Sequence, residues 1–147
     1  MTTFAASLVT PERVVLETEV QAVMLRTEEG EAAFLPGHAD LIGALVPGLV
    51  RFQREDGSEE RAAVHGGFVQ VDGEHVVVLA PIAELAEEID VDRARRALEE
   101  ARQRLAELGT PSGGGAEEGG GPEDRARTEA EDSRRRAEVR LEVTGQG

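Results

Sequence analysis

Three histidines are the first residues in this sequence that could support chemistry. His38, His65 and His75 could form a metal site only if the fold brought them together, because no His-x-His or His-Glu-x-x-His spacing is present. A metalloenzyme is therefore one hypothesis, and bound metal after purification would support it. The simpler interpretation of His65, within AAVHGGF, is a strand-end residue before glycines that permit a tight bend, and His75 is then a solvent-facing residue beside a hairpin.

Several other kinds of catalytic or ligand site are excluded by residue type. The chain has no cysteine, which removes disulfides, thiolate chemistry and cysteine-bound zinc. It has no Gly-x-Ser-x-Gly nucleophile turn, and because all of its basic residues other than histidine are arginine, it has no lysine-containing phosphate loop. A nucleotide could therefore bind only through arginines and backbone groups.

A second group of polar residues gathers around the segment IDVDRA and a later arginine pair. A helix beginning near Asp90 would offer free N–H groups, Arg93 would add a fork-shaped cation, and Arg136 and Arg140 would point the same way at i,i+4 spacing. Glu84 lies nearby in sequence. The alternative is that these arginines pair with neighbouring carboxylates and stay solvated, as arginines on short acidic helices usually do.

The elements that must position these residues fall into two parts. Residues 1 to about 83 consist of short β-rich runs separated by turn signals such as Asp56-Gly57 and Asp72-Gly73, a pattern typical of a sandwich or barrel. Within this part, Leu35-Pro36-Gly37 and Val46-Pro47-Gly48 each predict a fixed turn in which proline presets φ and glycine accepts positive φ. The stretch between them displays His38 and Asp40 at a bend, as a braced corner or a contact surface.

The second part is helical. Apolar residues spaced alternately by three and four predict a helix over residues 90–108 with Asp90 as its N-cap, and a second helix is predicted from Pro122 to about Val143. The glycine-rich residues 109–121 predict a flexible linker. Because the second helix has a thin stripe of Ala126, Ala130, Ala137 and Leu141, we expect it to depend on docking. The predicted fold class is α+β: an antiparallel β-sandwich over residues 1–86 and an antiparallel two-helix hairpin over residues 87–147.

Charge further limits the function classes. The formal net charge is −14, with no tryptophan or tyrosine, which argues against nucleic acid as a partner. No basic leader and no apolar run long enough to span a bilayer occur, so we expect a soluble protein that does not insert directly into a membrane.

The order of several short motifs resembles one known family, the epsilon subunit of bacterial F-type rotary, proton-translocating ATP synthases. The resemblance extends from Phe4 to about Leu108 and rests on the segments LVTPERVV, GEAAFLPGHADL, VPGLV, VHGGFVQV, VVVLAP with Ala83-Glu84, and IDVDRARRAL. It implies a central-stalk subunit without a catalytic site of its own and without a required cofactor. Such a subunit contacts the gamma subunit and the c-ring and transmits proton-driven rotation to the catalytic alpha and beta subunits.

The resemblance also implies roles for particular residues. Glu31 is similar to the part of the family that faces the c-ring loops, and His38, with Asp40 beside it, lies near the expected contact face with gamma and the c-ring. In some bacterial members a motif binds regulatory ATP and holds the hairpin down, and an extended hairpin inhibits ATP hydrolysis by the alpha/beta ring. The residues that match this regulatory ATP site are Glu84, Ile89, Asp90, Arg93, Ala94, Arg136 and Arg140.

Two features of the chain depart from the family pattern. The linker is longer and richer in glycine than the usual helix–helix turn, and the second helix lacks lysine and large apolar residues. The expected location is the cytoplasmic face of the cell membrane, as a peripheral part of the complex. A function of another class also fits the arginine-rich helices, namely a free-standing β-sandwich regulatory protein that senses nucleotide.

Overall fold

The computed structural model describes residues 2–108 and 121–145; residues 109–120 of the predicted linker lie outside them. The described chain forms ten strands, a short 3-10 turn at Ala86–Glu88 and two helices. The strands are β1 Phe4–Val9, β2 Val14–Val20, β3 Ala22–Thr27, β4 Gly30–Phe34, β5 Leu41–Leu45, β6 Gly48–Gln53, β7 Glu59–Val64, β8 Gly67–Val71, β9 His75–Leu79 and β10 Ala83–Leu85, and the helices are α1 Val91–Leu108 and α2 Pro122–Val143.

The strands form one sheet that folds over on itself into a sandwich. Its order is β10-β7-β6-β3-β5-β8-β9-β1-β2, with β4 paired to β3. The ends of this order, β10 and β2, lie near each other, so the sheet encloses a common core. The architecture confirms the predicted sandwich followed by helices, with one difference: β1 and β9 pair in parallel, with Ala5 opposite His75. No turn joins these two strands directly, so their relative direction is not set by a hairpin.

The sandwich core is built from aliphatic residues and three phenylalanines, Phe4, Phe34 and Phe52. Alternate residues of the strands point inward, as in β1, where Phe4, Ala6 and Leu8 are buried. Phe34 and Phe52 are fully enclosed in the same cluster. This continuous core gives the strands that carry the candidate site a fixed position.

The two proline–glycine steps behave differently. At the first, the His38 N–H donates to the Leu35 carbonyl at 3.1 Å and Gly37 has φ +85°, which confirms the predicted turn with Pro36 at its second position. At the second, the prediction of a positive-φ glycine is wrong, because the residues with positive φ do not include Gly48. Gly48 instead opens β6 and pairs with Val64 of β7, so the ladder holds it in an extended conformation.

The helices form an antiparallel pair that rests on the sandwich. Arg127 near the start of α2 donates to the Leu108 carbonyl at the end of α1, at 3.3 Å. Ala137 and Leu141 of α2 pack against Ala94 and Leu98 of α1. Val139 and Val143, on another side of α2, pack against Ala63 of β7 and against Ile89. The helix α2 therefore docks on two surfaces at once, in keeping with the expectation that its thin stripe needs docking.

Candidate functional site

The candidate site is a cavity of about 310 Å³ at the junction of the sandwich, the start of α1 and the end of α2. It is lined by charged side chains and two alanines: Glu84, Glu88, Asp90, Arg93, Ala94, Ala97 and Arg140. The structure thus brings together five of the seven residues predicted for a regulatory nucleotide site, although β10 and α2 are far apart in sequence.

Glu84 is the carboxylate that joins the sandwich to α2. It lies in β10, opposite Ala63 of β7, and its Oε1 accepts a hydrogen bond from Nε of Arg140 at 2.7 Å. The imidazole of His65 and the guanidinium of Arg140 lower the pKa of Glu84 to about 2, against the opposing effect of burial. Because His65 Nε2 is 3.7 Å from Oε1, too far for a direct hydrogen bond, Arg140 is the closer partner.

Asp90 sets the beginning of α1. Its Oδ1 accepts from the backbone N–H of Arg93 at 3.0 Å, and its carbonyl accepts from the N–H of Ala94 at 3.0 Å, which is the hydrogen bonding of an N-cap. The Arg93 side chain is exposed and faces the cavity, while Ala94 leaves space in its wall. The N-cap therefore holds Arg93 at the cavity mouth.

Ile89 and Arg136 lie elsewhere. Ile89 is buried in the apolar cluster with Val139 and Val143, so its side chain packs and does not line the cavity. Arg136 is one turn before Arg140, and its Nη2 donates to Ser133 Oγ at 3.2 Å. It lines a neighbouring cavity beside His65.

Several residues at this junction are not among those predicted. Glu88 accepts from the Leu85 N–H through Oε1 at 3.1 Å and forms an ion pair with Arg13 through Oε2 at 2.6 Å. Since Arg13 is 75 positions away, no local pattern could have indicated this pair. Val139 and Val143, at i,i+4 spacing, did offer a signal for a second apolar side of α2.

The residues of the second predicted group lie in two places: Glu31 is near the start of β4, beside the β3–β4 turn, whereas His38 and Asp40 lie in the loop between β4 and β5. Glu31 in β4 is exposed and pairs with Arg26 at 3.4 Å. The ring of His38 packs edge-on against Phe34 with centroids 5.1 Å apart, and its Nδ1 is 2.7 Å from the Ala39 carbonyl oxygen. Asp40 is exposed beside it. His38 and Phe34 also line a cavity of about 470 Å³ with Ile42 and residues of β4 and β5.

The outer face of β5, β8 and β9 carries apolar side chains in contact with solvent. Ile42 is 72% exposed and Phe68 is 57% exposed, and Leu79 lies directly opposite Phe68 across the β8–β9 pair. We call these three residues the outer apolar face. An exposed apolar surface of this kind is typical of a binding site for another protein.

The histidines do not meet. Within residues 2–108 and 121–145, no three His, Asp or Glu side chains are placed to hold a metal ion together. His75 pairs with Asp72 at 3.3 Å in the β8–β9 loop, and His65 is enclosed beside Glu84. Neither described helix is long and apolar enough to cross a membrane.

Comparison with known proteins accounts for both parts of the chain. The family model for the ATP synthase delta/epsilon chain β-sandwich domain matches residues 3–86, and the model for the long α-helix domain of the same chain matches residues 87–145.

Individual relatives agree with this match. An ATP synthase epsilon chain of Carboxydothermus hydrogenoformans is 54% identical over 67% of this chain and 73% of its own length. An ATP synthase epsilon chain of Moorella thermoacetica is 41% identical over 99% of this chain and 98% of its own. A chain in a cryo-EM structure of the Euglena gracilis mitochondrial ATP synthase, comprising OSCP, F1 and the c-ring, superposes with a TM-score of 0.69 at 26% identity, over 99% of this chain and 79% of that one. Since the matches extend over both the sandwich and the helices, this chain belongs to the ATP synthase delta/epsilon chain family.

Proposed function

We propose that this chain is a non-catalytic rotor subunit of the central stalk of a proton-translocating F-type ATP synthase, where it couples proton-driven rotation to ATP synthesis. The observation that carries the proposal is the match of both parts of the chain, in order, to the two domains of the family. The complex would place the chain peripherally at the cytoplasmic face of the cell membrane.

We also propose that this chain has no catalytic site of its own. The most perturbed carboxylate in the described structure, Glu84, has a pKa of about 2 and is paired with Arg140 at 2.7 Å. A carboxylate that stays ionised and engaged is poorly suited to proton transfer near neutral pH. The chemistry of the junction therefore favours holding elements together.

Two surfaces of the sandwich are suited to the proposed partners. We assign Glu31, near the start of β4, and His38 and Asp40, in the β4–β5 loop, to the gamma and c-ring contact. The outer apolar face, with Phe68 at its centre, is suited to contact with the gamma subunit because burying it would remove apolar area from water.

Co-purification with the gamma subunit tests the rotor assignment. We expect the full chain to bind gamma, and we expect Phe68→Ala to weaken that binding while Glu131→Ala, a change at an exposed residue of α2, leaves it intact. A chain that never binds gamma would contradict the proposal.

The helices are proposed to regulate ATP hydrolysis by reaching the alpha and beta subunits when α2 leaves the sandwich. Support comes from the way α2 is held, through a few small apolar residues and the Glu84–Arg140 pair. Truncation after residue 109 should leave gamma binding unchanged and raise ATP hydrolysis by the assembled complex. Unchanged hydrolysis would mean that the helices do not inhibit.

Regulatory ATP is proposed to bind in the junction cavity, through Arg93 and Arg140 and the wall left open by Ala94. Calorimetry with ATP tests this: Arg93→Ala should remove the binding heat, whereas Arg102→Ala, at an exposed arginine elsewhere on α1, should retain it. No heat in the unchanged chain would eliminate nucleotide binding and leave the rotor proposal intact.

The same cavity favours the second candidate, a free-standing nucleotide-sensing protein. The observation behind it is that Arg93 of α1 and Arg140 of α2 line the same cavity. Binding of ATP in a chain that does not associate with gamma would select this candidate over the rotor.

A further inference from the structure

His65 lies in the seam where α2 covers the sandwich. It follows β7, and its backbone N–H donates to the Ile82 carbonyl at 3.1 Å. Its side chain is only 4% exposed, whereas that of His75 is 57% exposed. Within the described part of the chain, neither ring nitrogen of His65 has a hydrogen-bond partner. A buried imidazole without partners is costly, so its charge state bears directly on whether the seam closes.

The charges that face His65 come from two elements. From β10, Glu84 Oε1 is 3.7 Å from His65 Nε2. From α2, Arg140 donates to that same oxygen at 2.7 Å, and Asp132, Arg135 and Arg136 line a cavity of about 240 Å³ with His65. The remaining wall of this cavity, Pro47 and Ile82, carries no charge.

Docking of α2 changes the charges around His65. Glu84 belongs to the sandwich, and the pairing of β10 with β7, which does not involve α2, places its backbone near His65. Docking adds the charges of α2, three arginines against Asp132, around the cavity that His65 lines. This net positive charge disfavours a positive charge on His65, because like charges repel.

We propose that His65 makes the docking of α2 onto the sandwich sensitive to pH, with a neutral imidazole favouring the docked helix and a protonated one favouring its release. Proton binding and docking are then linked: whatever disfavours the proton in the docked state makes the proton disfavour docking. Docking then strengthens as pH rises and weakens as pH falls.

The other charged residues at the contact between α2 and the sandwich do not account for this pH dependence of docking. Glu84, with a pKa of about 2, stays ionised throughout the neutral range, and the arginines stay charged. His38 and His75 lie at the β4–β5 turn and in the β8–β9 loop, away from α2. The inference concerns the docking of α2 alone, and it needs neither ATP nor another subunit.

Distance measurement between two fluorescent labels on the full chain tests the inference. Because the sequence has no cysteine, Gln70→Cys on the sandwich and Glu131→Cys on α2, both at exposed positions, can be labelled without removing native thiols. Between about pH 8 and about pH 5.5, we expect the docking equilibrium to weaken by roughly threefold to tenfold.

Two substitutions identify the group responsible. His65→Gln should abolish the response, and His75→Gln, the matched control at an exposed histidine, should retain it. Arg135→Gln with Arg136→Gln leaves the histidine in place and should reduce the response, because the opposing charges on α2 are gone. Either an unchanged response in His65→Gln or no response in the original chain would overturn the inference. An unchanged response in the double arginine variant would do the same.

Discussion

The sandwich and the hairpin are stabilised in different ways. The sandwich encloses Phe34, Phe52 and a continuous set of valines and leucines. The attachment of α2 relies on alanines, a few branched aliphatic residues and the ion pair between Glu84 and Arg140. Because buried apolar area provides most of the stabilisation, the core of the sandwich is more stable than the contact that holds α2. The sandwich is the fixed platform, and the position of α2 is the property that small changes can alter.

The largest expected effect is on the stability of the sandwich. Phe52→Ala should lower the free energy of unfolding by about 3–5 kcal/mol, since Phe52 has 0% exposure and its loss leaves a cavity. Phe68→Ala, at 57% exposure, should lower it by less than about 1 kcal/mol. Chemical denaturation measures both. Equal losses would contradict the division between a rigid core and an exposed binding face.

A smaller effect is expected on the docking of α2 when a residue that packs against α1 is changed. Leu141→Ala removes a buried side chain that packs on Ala94 and Leu98, and it should weaken docking by about 2–3 kcal/mol. Hydrogen exchange should then quicken in α2 while protection in the sandwich strands is unchanged. Glu131→Ala on the exposed side of α2 serves as the control. Loss of protection in both parts together would mean that they unfold as one unit.

The ion pair between Glu84 and Arg140 should make the docking of α2 sensitive to acid. The pKa of Glu84 is lowered from 4.5 to about 2, first by His65 of the sandwich and then by Arg140 of α2, so its stabilisation is complete above pH 4.5 and is lost as pH falls towards 2. Only the share from Arg140 depends on the docking of α2. After allowance for its partial exposure, we expect a contribution on the order of 1 kcal/mol. Release of α2 in acid should therefore become less steep in Glu84→Gln. An identical acid profile in both chains would exclude Glu84 as a docking residue.

The smallest effect on stability is expected at the β4–β5 turn. Pro36 precedes Gly37, whose φ is +85°, and Pro36→Gly should lower the free energy of unfolding by only about 0.5–1 kcal/mol, because it mainly loosens the unfolded chain. If this turn is part of a contact that transmits torque, ATP-driven proton pumping by the assembled complex should fall by a larger fraction than the stability does. A proportionate fall in both would argue against that role.

Local patterns were enough to predict much of this fold. The strands, the turn at Pro36-Gly37 and the start of α1 at Asp90 depend on neighbours in sequence. The parallel pairing of β1 with β9 and the ion pair of Arg13 with Glu88 depend on residues that only the folded chain brings together. The positive φ expected at Gly48 was wrong for a similar reason, because pairing with β7 decides its conformation.

The candidate site shows the same limit. Spacing alone placed Arg136 and Arg140 on one side of α2, but the structure directs them to neighbouring cavities one turn apart. The surroundings of His65 could not be predicted, since the α2 residues that line a cavity with it lie more than sixty positions later in the chain.

The two contacts of Glu88 have a mechanical consequence. One oxygen is tied to Arg13 and the other to the Leu85 N–H, so the 3-10 turn Ala86–Glu88 is fastened to the sandwich. Because Ile89 is itself buried against Ala63, Val139 and Val143, any rotation of α1 relative to the sandwich must pivot at Asp90, the first residue beyond these contacts. With a rise of 1.5 Å per residue, the 18 residues of α1 form a lever of about 27 Å, so a small rotation at this hinge is amplified at its far end.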